Sequence, residues 1–242
     1  MKHERRRAAL DIAVQFCLIV FTVIPLSALL FFVERPDEPV HFEVFRYFTT
    51  LSNIAGALAA IPSIAVAVRA IREGDYAIPR PLILARFLAT SMLTLTMMTV
   101  LCFLGPLFGY GTMFTGANFW FHLVNPVLSI AAFIFLETDG PLSVKTAPLG
   151  IVPAVLYGLV YIYEVVFHEG WPDFYGFNIG GRWPVTVVAM LSANLLLSVL
   201  LLLARGKQSG VAEKGTQFVK FSEKPSARSA LTGEISDFRV DR

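Results

Sequence analysis

The sequence has 242 residues, of which 55% are hydrophobic and 16% charged, and its formal net charge is +2. A water-soluble domain of this length could not bury so much apolar surface, so a soluble globular fold is excluded. The small net charge leaves no basic footprint for a nucleic acid, which excludes that class of partner. The apolar residues come in long blocks rather than in alternation, which indicates that the chain lies in a lipid bilayer.

The chain contains enough uncharged, apolar sequence for six membrane-spanning helices. About 20 residues, at a rise of about 1.5 Å each, cross a hydrocarbon core about 30 Å thick. The uncharged block 87–136 is too long for one span, and the glycines and Pro106 in its middle are typical of a tight turn between two helices. The sequence therefore predicts an all-α membrane bundle, residues 1–204, with six transmembrane helices at about 9–33, 46–68, 87–105, 118–136, 146–165 and 183–204.

The distribution of lysine and arginine predicts the orientation of the bundle. One set of alternate loops carries Lys2, Arg5, Arg6, Arg7, Arg69, Arg72, Arg80, Arg86 and Lys145, whereas the other carries only Arg35, Arg46 and Arg182. By the positive-inside rule, the first set is cytoplasmic, and so are both termini. Residues 205–242 are rich in Ser, Gly, Lys and Glu, and this composition predicts a disordered cytoplasmic tail.

Polar residues repeat at helical spacing in the predicted spans and indicate where the bundle interior lies. Thr49 and Asn53 share one face of helix 2, and His122 and Asn125 share one face of helix 4. Polar groups inside a membrane must be satisfied within the protein, and ionisable ones are functional candidates. Thr49 and His122 each start their stripe near the outer interface, so we expect them to lie at similar depth.

Helix 5 brings a further pair of ionisable residues, Glu164 and His168, to the same outer leaflet. Together with His122 or His41 this pair could form a zinc site. The sequence lacks the His-x-x-x-His or cysteine pair that would strengthen this interpretation, and we predict neither a metal nor another cofactor.

The chain contains three short motifs: Phe-Arg-Tyr-Phe-Thr at 45–49, His-Leu-Val-Asn-Pro at 122–126 with the apolar run to Glu137, and the aromatic loop 170–177. These motifs resemble segments of the androgen-induced-gene family of six-helix membrane proteins and its bacterial relatives. Animal members of that family are threonine hydrolases that cleave fatty acid esters of hydroxy fatty acids. The family's catalytic histidine stands five residues before its proline, whereas His122 precedes Pro126 by four.

The resemblance implies an integral membrane hydrolase of lipid-like carboxylic esters. We expect it to be a multi-pass protein of a cell membrane, namely a bacterial inner membrane. Thr49 would be the nucleophile and His122 the base. By residue chemistry, Asn53 or Asn125 could donate to an oxyanion, and Glu164 could orient the imidazole. The expected partners are membrane lipids and the ester substrate.

A non-catalytic membrane protein of the same fold, binding or transporting a lipid or small molecule, is the alternative. Pro25, Pro62, Pro126 and Pro153 supply possible helix kinks for a transporter, yet no internal repeat is evident in the sequence.

Overall fold

A computed structural model describes residues 2–31, 41–73, 77–137 and 142–222. The described chain is helical and contains no strand, and six of its helices are long and apolar enough to cross a membrane. This confirms the prediction of an all-α, six-helix, multi-pass membrane protein. The helices are α1 (Lys2–Phe31), α2 (Phe48–Glu73), α3 (Arg80–Phe108), α4 (Ala117–Leu136), α5 (Val144–Phe167) and α6 (Trp183–Ser222).

Helix α3 is the most buried of the six and packs against α2, α4, α5 and α6. Small hydroxyl-bearing side chains line its contacts, which lets neighbouring backbones approach closely and supplies hydrogen bonds between helices. The Thr90 hydroxyl lies 2.7 Å from that of Ser129 on α4, and the Ser91 hydroxyl lies 2.7 Å from that of Ser198 on α6. Helix α3 therefore forms the core around which the other helices are arranged.

A cluster of buried charges ties the helices together at the end of the bundle where α1 and α3 begin. The Arg86 guanidinium contacts the carboxylates of Asp11, at 2.8 Å, and Glu137, and all three side chains are at most 4% exposed. The Arg205 guanidinium donates to the Glu137 carbonyl at 2.7 Å. Because Arg86 is paired inside the bundle, α3 begins at Arg80 rather than near residue 87, where counting uncharged residues placed it.

The last helix also extends beyond its predicted end at residue 204 and continues to Ser222. Glycine can be accommodated within a helix, and no proline occurs between residues 205 and 222. The first proline after residue 204 is Pro225, which disfavours helical geometry at the residue before it. The tail predicted to be disordered from residue 205 thus begins as helix. Residues 223–242 lie outside the described chain.

Three helices contain a π-helical turn at the end of the bundle where α2, α4 and α6 begin, which we call the Thr49 end. These turns span Val100–Leu104 in α3, Trp120–Val124 in α4 and Tyr163–Phe167 in α5. A π-turn inserts one residue into a helix and rotates the side chains that follow, and it is common at functional sites. His122 lies inside the turn of α4.

Removing the Arg86 charge tests the buried cluster. In Arg86→Met the carboxylates of Asp11 and Glu137 lose their shared partner inside the protein. We expect the free energy of unfolding in detergent micelles to fall by about 3–5 kcal/mol. The control Arg69→Met removes the exposed Arg69–Glu73 pair and should change stability by less than about 1 kcal/mol. Equal stability of the two variants would contradict the structural role of the cluster.

Candidate functional site

Thr49 and His122, 73 positions apart in the sequence, meet at the Thr49 end of the bundle. The Thr49 hydroxyl oxygen lies 3.4 Å from Nε2 of His122. Thr49 is the second residue of α2, and His122 lies one turn into α4, so the two helices start side by side and bring both residues to the same depth. At 3.4 Å the two atoms lie at the long end of the hydrogen-bond range.

The other ring nitrogen of His122 fixes how the imidazole can act. Its Nδ1 lies 2.8 Å from the backbone carbonyl oxygen of Met113, in the loop before α4. A carbonyl can only accept, so Nδ1 carries the proton and, in the neutral ring, the lone pair of Nε2 faces the Thr49 hydroxyl. The ring is buried, with 6% of His122 exposed. The geometry is that of a hydroxyl beside an oriented base.

Asn53 and Asn125 lie behind this pair and join three helices. The Asn53 amide nitrogen donates to the carbonyls of Thr49, at 2.8 Å, and Phe121, at 3.2 Å. The Asn125 amide nitrogen lies 2.7 Å from the Asn53 side-chain oxygen and 3.1 Å from the Phe21 carbonyl on α1. These amide hydrogens have acceptors inside the bundle, so in this conformation they are directed away from an oxyanion at Thr49.

Glu164 lies near the end of α5 and contacts His168 rather than His122. Its carboxylate is 3.0 Å from Nδ1 of His168, whose side chain is 59% exposed. The imidazole of His122 is oriented by the Met113 carbonyl, the task that residue chemistry suggested for Glu164. Within the described residues, no group of three or more His, Cys, Asp or Glu side chains is placed to hold a metal ion.

Two cavities meet at Thr49. The first, which we call the apolar chamber, has a volume of about 90 Å³ and lies among α2, α3, α5 and α6; its wall includes Phe48, Leu95, Val100, Tyr157, Val165 and Met190. The second, the vestibule, has a volume of about 340 Å³, and its wall includes His41, Glu43, Met113, Asn118 and His122. Three residues line both cavities: Thr49, Leu104 and Tyr175.

Tyr175 is a residue that reasoning from individual side chains did not single out. It lies in the loop between α5 and α6, is 8% exposed, and accepts a 2.8 Å hydrogen bond from the Phe48 backbone N–H at the start of α2. Burial raises the pKa of Tyr175 to about 12, so its hydroxyl stays protonated near neutral pH. The only sequence signal for this residue was the aromatic loop 170–177.

No protein-family model matches the chain, and neither a curated protein nor a solved structure matches it. The resemblance to the androgen-induced-gene family therefore rests on segments 45–49, 122–126 and 170–177 alone.

The asparagine network should matter for stability. In Asn125→Ala the acceptors on Asn53 and Phe21 lose their donor in a buried setting, which we expect to lower the free energy of unfolding by about 1–3 kcal/mol. Thermal unfolding in detergent would measure this loss of stability. Asn118→Ala is the control, because among the described residues the Asn118 amide nitrogen makes an exposed 3.4 Å contact with the Thr112 carbonyl. A loss for Asn125→Ala no larger than that of the control would contradict the role of the network.

Proposed function

We propose that this protein is an integral membrane hydrolase of lipid-like carboxylic esters, with Thr49 as nucleophile and His122 as general base. The observation that carries the proposal is the 3.4 Å approach of the Thr49 hydroxyl to Nε2 of His122, with Nδ1 held 2.8 Å from the Met113 carbonyl. A threonine hydroxyl is a weak nucleophile until a neighbouring base takes its proton, and a neutral imidazole is suited to that task.

The reaction proceeds in two halves. His122 Nε2 takes the hydroxyl proton as the Thr49 oxygen attacks the ester carbonyl carbon, and a tetrahedral oxyanion forms. Collapse of the oxyanion breaks the bond to the alcohol oxygen, which receives the proton from Nε2, and leaves an acyl-threonine. Water then attacks the acyl carbon, giving its proton to Nε2; the carboxylic acid leaves and the Thr49 oxygen regains a proton.

The two cavities suggest how a substrate lies. The apolar chamber has mainly aliphatic and aromatic walls, which suits a hydrocarbon acyl chain, whereas the vestibule carries His41, Glu43 and Asn118 and suits a more polar alcohol portion. An ester carbonyl at Thr49 would then lie on the boundary between them. Because the distribution of lysine and arginine predicts that the Thr49 end lies outside, we propose that the site opens in the outer leaflet of a cell membrane, where membrane lipids are available.

A lipid-tailed fluorophosphonate probe tests the nucleophile, because it reacts covalently with an activated hydroxyl. We expect rapid labelling of the detergent-purified protein, no labelling of Thr49→Ala, and labelling about 10²–10⁴-fold slower in His122→Asn. The asparagine amide can still donate to the Met113 carbonyl but cannot act as a base at neutral pH. Thr94→Ala is the matched control, since the Thr94 hydroxyl bonds its own helix at the Thr90 carbonyl, 2.7 Å away.

Failure of the folded wild type to label would overturn the hydrolase proposal. Equal labelling of wild type and Thr49→Ala would show that another residue reacts and would overturn the assignment of Thr49. In the first case the alternative is a non-catalytic protein that binds a lipid in the apolar chamber.

Filling the apolar chamber should shorten the acyl chain that the site accepts. Gly158 lines the chamber, and a Cβ added there meets no atom within 4 Å. In Gly158→Leu we expect probes with long alkyl tails to label more slowly and those with short tails to label at the wild-type rate. The control Leu156→Phe changes a position on the same helix that is 62% exposed. An unchanged dependence on tail length in Gly158→Leu would contradict the assignment of the chamber.

A further inference from the structure

A threonine hydrolase needs a hydrogen-bond donor for the oxyanion, and the amide groups of Asn53 and Asn125 are already engaged in the bundle. Tyr175 carries a polar group close to the nucleophile, because it lines both cavities together with Thr49 and Leu104. The following inference rests on the proposed function and concerns the same site.

The Tyr175 hydroxyl is the acceptor in its hydrogen bond with the backbone of α2, so this bond does not use its own proton. Its oxygen accepts from the Phe48 N–H at 2.8 Å, one residue before the nucleophile. The neighbouring Tyr157 hydroxyl donates to the Arg46 carbonyl at 2.6 Å and also interacts with the Tyr175 hydroxyl. A phenol has one proton to donate, and here the oxygen that carries it sits against the first turn of α2, where the helix dipole also favours negative charge.

The loop that carries Tyr175 is fixed to α5. The Tyr161 hydroxyl donates to the Asp173 carboxylate at 2.7 Å and accepts from the Tyr175 N–H at 3.3 Å. The same carboxylate accepts the backbone N–H groups of Phe177, at 2.9 Å, and Asn178, at 2.8 Å. A donor held in this way needs little reorganisation when charge develops at the substrate.

We propose that the Tyr175 hydroxyl is a catalytic hydrogen-bond donor that stabilises the oxyanion formed when Thr49 attacks the ester carbonyl. No covalent bond to Tyr175 forms or breaks, and its proton stays on the phenol throughout. Removing one oxyanion donor typically slows a reaction by about 10²–10³-fold.

The first test compares Tyr175→Phe with wild type in the rate of labelling by the fluorophosphonate probe, whose phosphoryl oxygen gains charge in the same place. We expect a fall of about 10²–10³-fold. Tyr110→Phe is the control, because it removes a 2.8 Å hydrogen bond to the Leu101 carbonyl at the same end of the bundle and lines neither cavity. A wild-type rate in Tyr175→Phe would overturn the proposal.

Tyr175→Phe also removes the acceptor of the Phe48 N–H, so a second experiment separates donation from support of the helix. Mono-, di- or trifluorotyrosine is placed at position 175, which lowers the phenol's pKa stepwise while keeping its size. A phenolate still accepts from Phe48 but cannot donate to an oxyanion. We expect the labelling rate of each fluorotyrosine variant, divided by that of wild type at the same pH, to fall as the pH rises. The midpoint of this fall should move to lower pH as fluorines are added.

Other titratable groups around the phenol are unchanged in these variants, so their effects cancel in the ratio to wild type; they are Tyr47, Tyr157, Tyr161, Asp173, His41, Glu43 and His122. A ratio that does not change with pH would assign Tyr175 a supporting role only and overturn the proposal. The hydrolase proposal and the Tyr175 proposal can fail separately. An unlabelled wild type overturns the hydrolase proposal, whereas a labelled wild type with a pH-independent ratio overturns only the role of Tyr175.

Discussion

The hydrogen bond from Nδ1 of His122 to the Met113 carbonyl is the interaction on which the proposed chemistry depends. It selects the tautomer in which Nε2 has a free lone pair, and it aims that lone pair at the Thr49 hydroxyl. A ring in the other tautomer would present a proton to the hydroxyl and could not act as a base. Because the carbonyl belongs to the backbone of a loop, this orientation needs no acidic side chain inside the membrane.

Burial in the bilayer explains how the rest of the site is built. Polar groups there need partners within the protein, and the amide nitrogens of Asn53 and Asn125 find them by joining α1, α2 and α4 behind Thr49. At the opposite end, Arg86 holds the carboxylates of Asp11 and Glu137. The helices that present Thr49 and His122 are thus fixed at both ends, which keeps the two side chains within reach of one another.

Much of the fold could be predicted from the sequence because a bilayer imposes a simple rule on helix length and apolarity. The stripes that start at Thr49 and His122 also placed these residues on interior faces, and the structure brings them into contact. The helix ends were less predictable. Arg86 was counted as a loop residue because its charge is visible in the sequence, whereas its buried partners Asp11 and Glu137 become neighbours only in the folded bundle.

The residues missed in the site are those whose role comes from tertiary structure. Met113 contributes a backbone carbonyl, which no side-chain pattern reveals, and Tyr175 reaches Thr49 only through the folded loop held by Asp173. The π-turn around His122 likewise leaves no clear mark in the sequence. Local patterns therefore predicted that Thr49 and His122 face the bundle interior, and the resemblance suggested the roles proposed for them, whereas the groups that contact them required the structure.

The most direct test is to locate the modified atom. The purified protein would be incubated with the lipid-tailed fluorophosphonate and digested, and the adduct would be mapped by fragmentation mass spectrometry. We expect a single phosphonylated residue, Thr49. An adduct on any other residue, or none on the folded protein, would contradict this expectation.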